Sequence, residues 1–299
     1  MNTEVVKNIS KIESWILASR PKTLPAAIAP VLVGTAVAIK DNKFSLIAFL
    51  IALICSVLIQ VGTNFVNDLY DFLAGSDRDD RLGPRRALAS GLISVTEMKF
   101  AIFLTFFITF SLGMYLVYLG GFIVFLIGIL SIFAGIAYTA GPYPLAYNGL
   151  GDIFVFLFFG FVGTVGTYFV QAFQVNAFVF LASVPVGALI TNILVVNNYR
   201  DIDADKLSGK HTLAVKFGRK FTRYQYLLFM ILSYAILPIV YFSFNLSLFI
   251  FIPILSLPIA IKLIKMIFTF SGTELNNTLA LTAKLSAIYG LLFAIGILL

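Results

Sequence analysis

Long runs of apolar residues, separated by short polar segments, dominate the pattern along this chain. Runs of about 18 or more apolar residues are typical of membrane-spanning helices, since ~20 residues cross a hydrocarbon core of ~30 Å. We count about nine such runs, so the pattern predicts an all-α integral membrane protein. Their approximate boundaries are 22–39, 44–72, 97–118, 121–139, 150–172, 177–199, 221–243, 246–269 and 279–298.

Composition supports the same class. The 299 residues are 60% hydrophobic and only 12% charged, whereas soluble chains are about 25% charged. In a membrane protein the location of the net charge of +7 matters more than its size, so nucleic acid is not an expected partner. The N-terminal residues lack an apolar core segment, and no cleavable signal peptide is expected.

The basic residues are unevenly distributed between the loops. All but three of the 21 lie on the side that holds the N-terminus, the exceptions being Lys40, Lys43 and Lys284. Loops rich in Lys and Arg stay in the cytoplasm. The sequence therefore predicts a multi-pass protein of the cell inner (cytoplasmic) membrane, with the N-terminus inside and the C-terminus outside.

Two acidic motifs occur at corresponding positions, four spans apart. The first is Asn64-x-x-x-Asp68-x-x-Asp71, and the second is Asn197-x-x-x-Asp201-x-x-x-Asp205. Each ends a predicted span on the cytoplasmic side. This echo predicts two four-helix halves plus one additional helix, a parallel repeat of the kind that membrane folds use.

The spacing within each motif places its members on one helix face, because residues three or four apart are neighbours. Asn67 lies beside the first stripe. Two facing carboxylate stripes favour a hard divalent cation, and Mg²⁺ prefers oxygen ligands that include substrate phosphates. The alternative is that the acids are solvated helix ends, paired with nearby Arg and Lys.

Basic residues interleave with the acids. Guanidinium and ammonium groups bind phosphate oxygens directly. Carboxylates mixed with Arg81, Arg86 and Lys210 therefore favour a metal ion that is bound together with a phosphate anion. Gly75 and Gly83-Pro84 break the first helix and let the loop fold back over the site.

A polar and aromatic turn, residues 138–152, joins the fourth and fifth spans on the same side. Tyr138, Tyr147 and Asp152 are candidates for binding an aromatic acceptor. A Gly/Pro-rich turn with interfacial tyrosines is the alternative interpretation, and Asp152 also suits the first turn of a helix.

These motifs resemble the UbiA superfamily of intramembrane aromatic prenyltransferases. The resemblance rests on Asn67-Asp68-x-x-Asp71 and on Asp201-x-Asp203-x-Asp205-x-x-x-Gly209-Lys210. Three more segments are most similar to the branch that uses 1,4-dihydroxy-2-naphthoate. They are Arg20-Pro-x-Thr-Leu-Pro, Gly83-Pro-x-Arg86-x-x-x-Ser90-Gly91 and Gly141-Pro-x-Pro-Leu-Ala-Tyr147-x-Gly-Leu-Gly151-Asp152.

The resemblance implies a UbiA-type bundle forming one transmembrane domain over residues 1–299. Its active-site loops would be about 73–96, 139–150 and 200–220, all cytoplasmic. It adds Lys22 to the diphosphate-binding residues. The metal ligands would be Asn64, Asn67, Asp68, Asp71, Asn197, Asp201 and Asp205, with Asp68, Asp71, Asp201 and Asp205 also catalytic.

The implied reaction is Mg²⁺-dependent transfer from a polyprenyl diphosphate to 1,4-dihydroxy-2-naphthoate. Carbon dioxide is lost and demethylmenaquinol is formed, the step expected in menaquinone biosynthesis. The apolar helices would hold the prenyl tail in the bilayer.

Two other functions remain open at the level of sequence. A relative within the superfamily could transfer a phytyl or solanesyl group, or use 4-hydroxybenzoate or homogentisate. A cation-coupled transporter could use the acids as ion sites, although transport sites lie near the membrane midplane and these acids cluster on one side.

Overall fold

A bundle of long α-helices, without strands, makes up the part of the chain that the structure describes. The structure is a computed structural model and describes residues 9–76, 82–84 and 86–299. Its helices in chain order are α1 (Lys11–Ser19), α2 (Pro25–Lys40), α3 (Leu46–Leu73), α4 (Val95–Ala137), α5 (Gly151–Val155), α6 (Gly166–Ala172), α7 (Ala177–Arg200), α8 (Ile202–Leu207), α9 (Leu213–Phe244), α10 (Leu257–Thr269) and α11 (Leu275–Leu298). A π-helix, Phe156–Val165, joins α5 to α6, and 3₁₀ turns cover Pro21–Thr23, Leu248–Ser256 and Gly272–Glu274.

Seven helical segments of the described chain are long and apolar enough to cross a membrane, and the bent pair of α1 and α2 brings the number to eight. The chain is therefore a multi-pass membrane protein, as predicted. The expected count of nine stays a prediction. It depends on α4, whose 43 residues are interrupted at Gly121 by φ 70° and ψ −160°. A continuous helix of that length would measure about 64 Å, twice the hydrocarbon thickness.

Side-chain caps explain where several spans begin. Ser45, Asn176 and Thr212 each accept a hydrogen bond from the backbone of the first turn of α3, α7 and α9, respectively. Ser94 forms a reciprocal capping box with Glu97 at the start of α4. Such caps satisfy backbone donors that a helix end leaves without partners, so polar residues set the span boundaries.

The core lies between α2, α7, α9 and α11, and α7 is the most enclosed of the long helices. Small residues allow the close approaches that membrane helices require. A Cβ added to Gly34 would lie 2.3 Å from the carbonyl oxygen of Thr164, so α2 and the π-helix touch backbone to backbone. α4 packs mainly on α3 and exposes most of its apolar surface.

The short helix α1 precedes the first predicted span. The chain bends by 50° between α1 with its 3₁₀ turn and α2, which begins at Pro25. Trp15 of α1 packs edge-on against Phe65 of α3 at 5.5 Å between ring centroids. Helix α1 therefore lies across the end of α3 that carries the acidic motif.

Candidate functional site

A single cavity of about 870 Å³ brings the two acidic motifs together. Its wall includes one face of α3, from Ala52 to Asp71. The α3 residues on this face are Ala52, Cys55, Ser56, Ile59, Gln60, Thr63, Asn64, Asn67, Asp68 and Asp71. Their spacing of three, one, three, one is that of a helical stripe, and 19 steps of 1.5 Å make it about 28 Å long. Charged residues line one end of the cavity, and apolar side chains line the other.

Asp71 lies at the centre of the charged end and is buried. The Arg86 guanidinium forms an ion pair with its Oδ2. Lys210 Nζ lies 3.1 Å from Oδ1 and 3.9 Å from Asp205 Oδ1. The Tyr147 hydroxyl also donates to Asp71 Oδ1, and its ring lies 4.5 Å below the Lys210 ammonium. The structure thus joins the first acidic motif, the loop after α3, the turn at 147 and the loop after α8.

The second motif is arranged differently from the continuous stripe that the sequence predicts. Helix α7 ends at Arg200, and Asp201 is its C-cap, so Asp205 belongs to the separate helix α8. Arg200 is buried and contacts both Asp201 oxygens, from Nε at 2.8 Å and from Nη2 at 2.6 Å. Nη2 also donates to Asn197 Oδ1 at 2.8 Å. The spatial grouping of Asn197, Asp201 and Asp205 at one cavity end is retained.

The amides of the first motif have mainly intramolecular contacts. Asn64 Nδ2 donates to the Ser19 carbonyl at 2.9 Å and tethers α1 to α3. Asn67 Oδ1 accepts a hydrogen bond from Thr139 at 2.7 Å. Asp68 is buried and lines the cavity one turn above Asn64. Metal ligation by these residues stays a prediction.

The turn between α4 and α5 contributes two tyrosines to the cavity wall, Tyr138 and Tyr147. Burial and the negative charges of nearby acids, Asp71 among them, raise the pKa of both phenols above their usual range. Both are therefore neutral hydroxyls at physiological pH. Asp152 is buried in the first turn of α5 but does not line the cavity, so its contact with an acceptor stays a prediction without support from this geometry.

The remaining predicted diphosphate-binding residues differ in how the structure places them. Lys22 is exposed and borders the cavity at the 3₁₀ turn before α2. Arg86 is buried against Asp71. Arg81 lies outside the described residues.

Three cavity residues were missed by the sequence reasoning. Arg20 lines the charged end from a left-handed position with φ 52°. Arg200 precedes Asp201 directly, and this adjacency was a usable signal. Asn276, from the start of α11, accepts a hydrogen bond from Arg200 Nη1 at 2.7 Å. It stands beside Asn277 near the start of an apolar run, where two adjacent amides give no periodic signal.

Oxygen donors from both motifs line the same cavity end, which fits a hard cation in chemical type. Within the described residues, no three acidic, His or Cys side chains form a group that could hold an ion alone. Asp71 and Asp201 accept hydrogen bonds from cations. The arrangement therefore fits an ion that is held jointly by a few carboxylates and the phosphates of a substrate, the usual mode for Mg²⁺.

Comparison with known proteins gives consistent matches along most of the chain. The model of the UbiA prenyltransferase family matches residues 27–288. A 1,4-dihydroxy-2-naphthoate octaprenyltransferase of Escherichia coli (strain K12) is 36% identical over 304 residues, which cover 98% of this chain and 97% of that protein. The Haemophilus influenzae protein of the same name is 33% identical over 303 residues, 96% of each chain.

The fold also matches a solved structure. A UbiA homolog from Archaeoglobus fulgidus, bound to GPP and Mg²⁺, has a TM-score of 0.67 and 17% sequence identity, covering 95% of this chain and 99% of that one. At this identity the likeness shows the fold of the bundle.

Proposed function

This chain belongs to the UbiA prenyltransferase family, and on that premise we propose that it transfers a polyprenyl group to 1,4-dihydroxy-2-naphthoate. The donor is an allylic polyprenyl diphosphate, and Mg²⁺ is the metal. The products are demethylmenaquinol, carbon dioxide and pyrophosphate. Residues 1–299 act as one transmembrane domain.

The observation that carries this proposal is that the cavity has one charged end and one apolar end. Acidic and basic side chains share its charged end, and the α3 stripe leads from there into an apolar interior. A molecule with an anionic head and a long hydrocarbon tail matches both ends. Neither a bare cation nor a soluble aromatic acid accounts for the apolar part.

The choice of acceptor is supported by the relatives. Two proteins that align with almost the full chain carry the name 1,4-dihydroxy-2-naphthoate octaprenyltransferase. Tyr138 and Tyr147 lie beside the acids, where an aromatic ring would meet the reactive carbon of the donor. We assign the acceptor to this wall.

We assign the Mg²⁺ ion to carboxylates of both motifs, Asp68 from the first and Asp201 and Asp205 from the second, together with the donor phosphates. When bound, the ion supplies positive charge to the departing pyrophosphate. Lys210 and Arg86 carry the donors that bind phosphate oxygens. Their pairing with Asp71 holds both cations at the charged end before substrate arrives.

The side chains of the protein stabilise charge and exclude water from the reaction. The cations stabilise charge that develops as the allylic C–O bond breaks. The apolar wall keeps water from the allylic cation until the ring carbon that bears the carboxylate attacks it. Carbon dioxide then leaves, and the electrons of that bond restore the aromatic ring.

An assay with purified protein tests the proposal. In detergent, with Mg²⁺, a polyprenyl diphosphate and 1,4-dihydroxy-2-naphthoate, we expect pyrophosphate and carbon dioxide to be released in equal amounts. Pyrophosphate without carbon dioxide, with another phenolic acceptor, would instead indicate a different family activity. Ion uptake into liposomes without turnover of any acceptor would overturn the enzyme assignment.

A further inference from the structure

A chain of hydrogen bonds runs from the second acidic motif, through the last helix, to the loop that carries Arg86. Arg200 holds the Asp201 carboxylate with two nitrogen atoms. Arg200 Nη1 donates to Asn276 Oδ1 at 2.7 Å. Asn276 Nδ2 in turn donates to the Leu82 carbonyl oxygen at 2.9 Å. Three parts of the chain that are distant in sequence are thereby connected: the junction of α7 and α8, α11 and the loop after α3.

Asn276 is suited to this connection because an amide accepts through its oxygen and donates through its nitrogen. It uses one of each, toward Arg200 and Leu82. Among the residues that the structure describes, it is the one whose side chain donates to the segment 82–84. Downstream of Arg86 the loop is anchored differently, because Ala87 and Leu88 pack in an apolar cluster with Phe65.

Burial of Arg200 strengthens these hydrogen bonds. Arg200 is 3% exposed, so its bonds face little competition from water, and a buried donor left without a partner is costly. Arg200, Asn276 and Leu82 all line the cavity. The network therefore lies in the wall of the charged end.

We propose that Asn276 is a positioning residue that ties the loop carrying Arg86 to the second acidic motif. Through Arg200 it holds the Asp201 carboxylate, and through its bond to the Leu82 carbonyl it holds residue 82 of that loop at the charged end of the cavity. This inference rests on the proposed function for the identity of the substrate, the donor diphosphate. The tie between loop and helix itself can be tested without substrate.

The first experiment is limited trypsin digestion of the full chain in detergent, without substrate. Cleavage after the arginines within residues 78–86 reports how well the loop is held. We expect Asn276→Ala and Asn276→Asp each to be cut there about tenfold faster than the unmodified protein, the effect of one lost hydrogen bond. Asn276→Asp still accepts from Arg200 but cannot donate to Leu82, and so isolates the loop contact.

The matched control is Asn277→Ala, at the exposed neighbouring position of the same helix. Trypsin should cut this variant at the same rate as the unmodified protein. Equal cleavage of Asn276→Ala and Asn277→Ala would overturn the proposal. Cleavage of Asn276→Asp at the rate of the unmodified protein would overturn the loop contact, since that variant lacks the donor to Leu82 while it keeps an acceptor for Arg200.

Steady-state kinetics provides the second readout. Asn276→Asp, which keeps the acceptor for Arg200, should raise KM for the polyprenyl diphosphate about tenfold, with kcat and the KM for the acceptor within about twofold of the unmodified values. A purely structural defect would lower kcat or the folded fraction instead and would overturn the positioning role. If the unmodified protein turns over no acceptor but the digestion result holds, the proposed function fails and the loop contact stands.

Discussion

At the scale of single residues, the acids of the two motifs are unequal. Asp71 is engaged by two cations and a phenol, and Asp201 by one arginine. Asp203 points away from the cavity, pairs with Arg219 at 2.8 Å and has a side chain that is 85% exposed. The same residue type within one motif therefore serves two purposes, in the site and on the solvated surface.

Replacing one site carboxylate should abolish turnover. We expect Asp68→Asn and Asp201→Asn each to lower kcat by at least about 100-fold, because stabilisation of a departing charge is lost. Asp203→Asn is the matched control and should retain activity within about twofold, as for an exposed ion pair. Turnover by purified, correctly inserted variants is the measurement, and near-normal activity of both site variants would show that the acids are solvated helix ends.

The hydroxyl of Tyr147 can be separated from its ring. Tyr147→Phe keeps the ring beneath Lys210 but removes the hydrogen bond to Asp71, so we expect kcat/KM to fall about three- to tenfold. Tyr143→Phe changes a tyrosine in the exposed part of the same turn. It is the control, and its kcat/KM should equal that of the unmodified protein in the same assay.

The same pair of variants tests the pH dependence of the site. A raised pKa keeps the Tyr147 phenol protonated to higher pH than usual, so the ratio of unmodified to Tyr147→Phe activity should stay constant from about pH 7 to 9.5, below an ordinary phenol pKa of ~10. A ratio that declines across this range would show that the phenol ionises there.

At the scale of elements, the break in α4 marks what hydropathy can and cannot predict. The run Phe100–Tyr138 carries no charge. The predicted division lies between residues 118 and 121, next to Gly121, the residue with φ 70°. The division followed from the length of the apolar run, which is too long for a single span. The separation of Asp201 from α7 was not predicted, because a single non-helical residue leaves the three-and-four spacing unchanged.

Gly121 should be intolerant of a side chain. Its φ and ψ lie in a region used almost only by glycine, at a cost of about 1–3 kcal/mol for other residues. Gly121→Ala should therefore lower the free energy of unfolding by that order, whereas Gly128→Ala in the same helix should be neutral or stabilising. An added Cβ meets no atom within 4 Å at either position, so the backbone angle is the variable. Thermal unfolding in one detergent at fixed concentration provides the comparison, and equal shifts would contradict the expectation.

At the scale of the whole molecule, the sequence predicted the membrane class, the grouping of both acidic motifs and the contribution of the central turn. It predicted the last helix as the span 279–298 but predicted no site residue on it. The role of Asn276 could not be predicted from the sequence, because its partners Arg200 and Leu82 come from segments far apart in the chain. Contacts of that kind depend on how the helices pack, and one sequence does not encode the packing in any local pattern.

The orientation predicted from the basic loops can be measured with single-cysteine variants in a Cys55→Ala background. Lys206→Cys and Lys43→Cys replace exposed lysines on opposite predicted sides. A membrane-impermeant thiol reagent added to intact cells should label position 43 and leave position 206 unlabelled until the membrane is opened. The reverse pattern would place the charged end of the cavity outside the cell.

The stripe of α3 residues that lines the cavity allows depth in the cavity to be measured along the helix. Because each turn of helix advances by about 5.4 Å, the depth of any point in the cavity can be counted in turns from Asp71. Ile59, Cys55 and Ala52 lie at successively greater distances from Asp71 along this face. If the tail of the proposed donor lies along this face, a bulkier side chain at one of these three positions should shorten the longest product and leave the charged end unchanged.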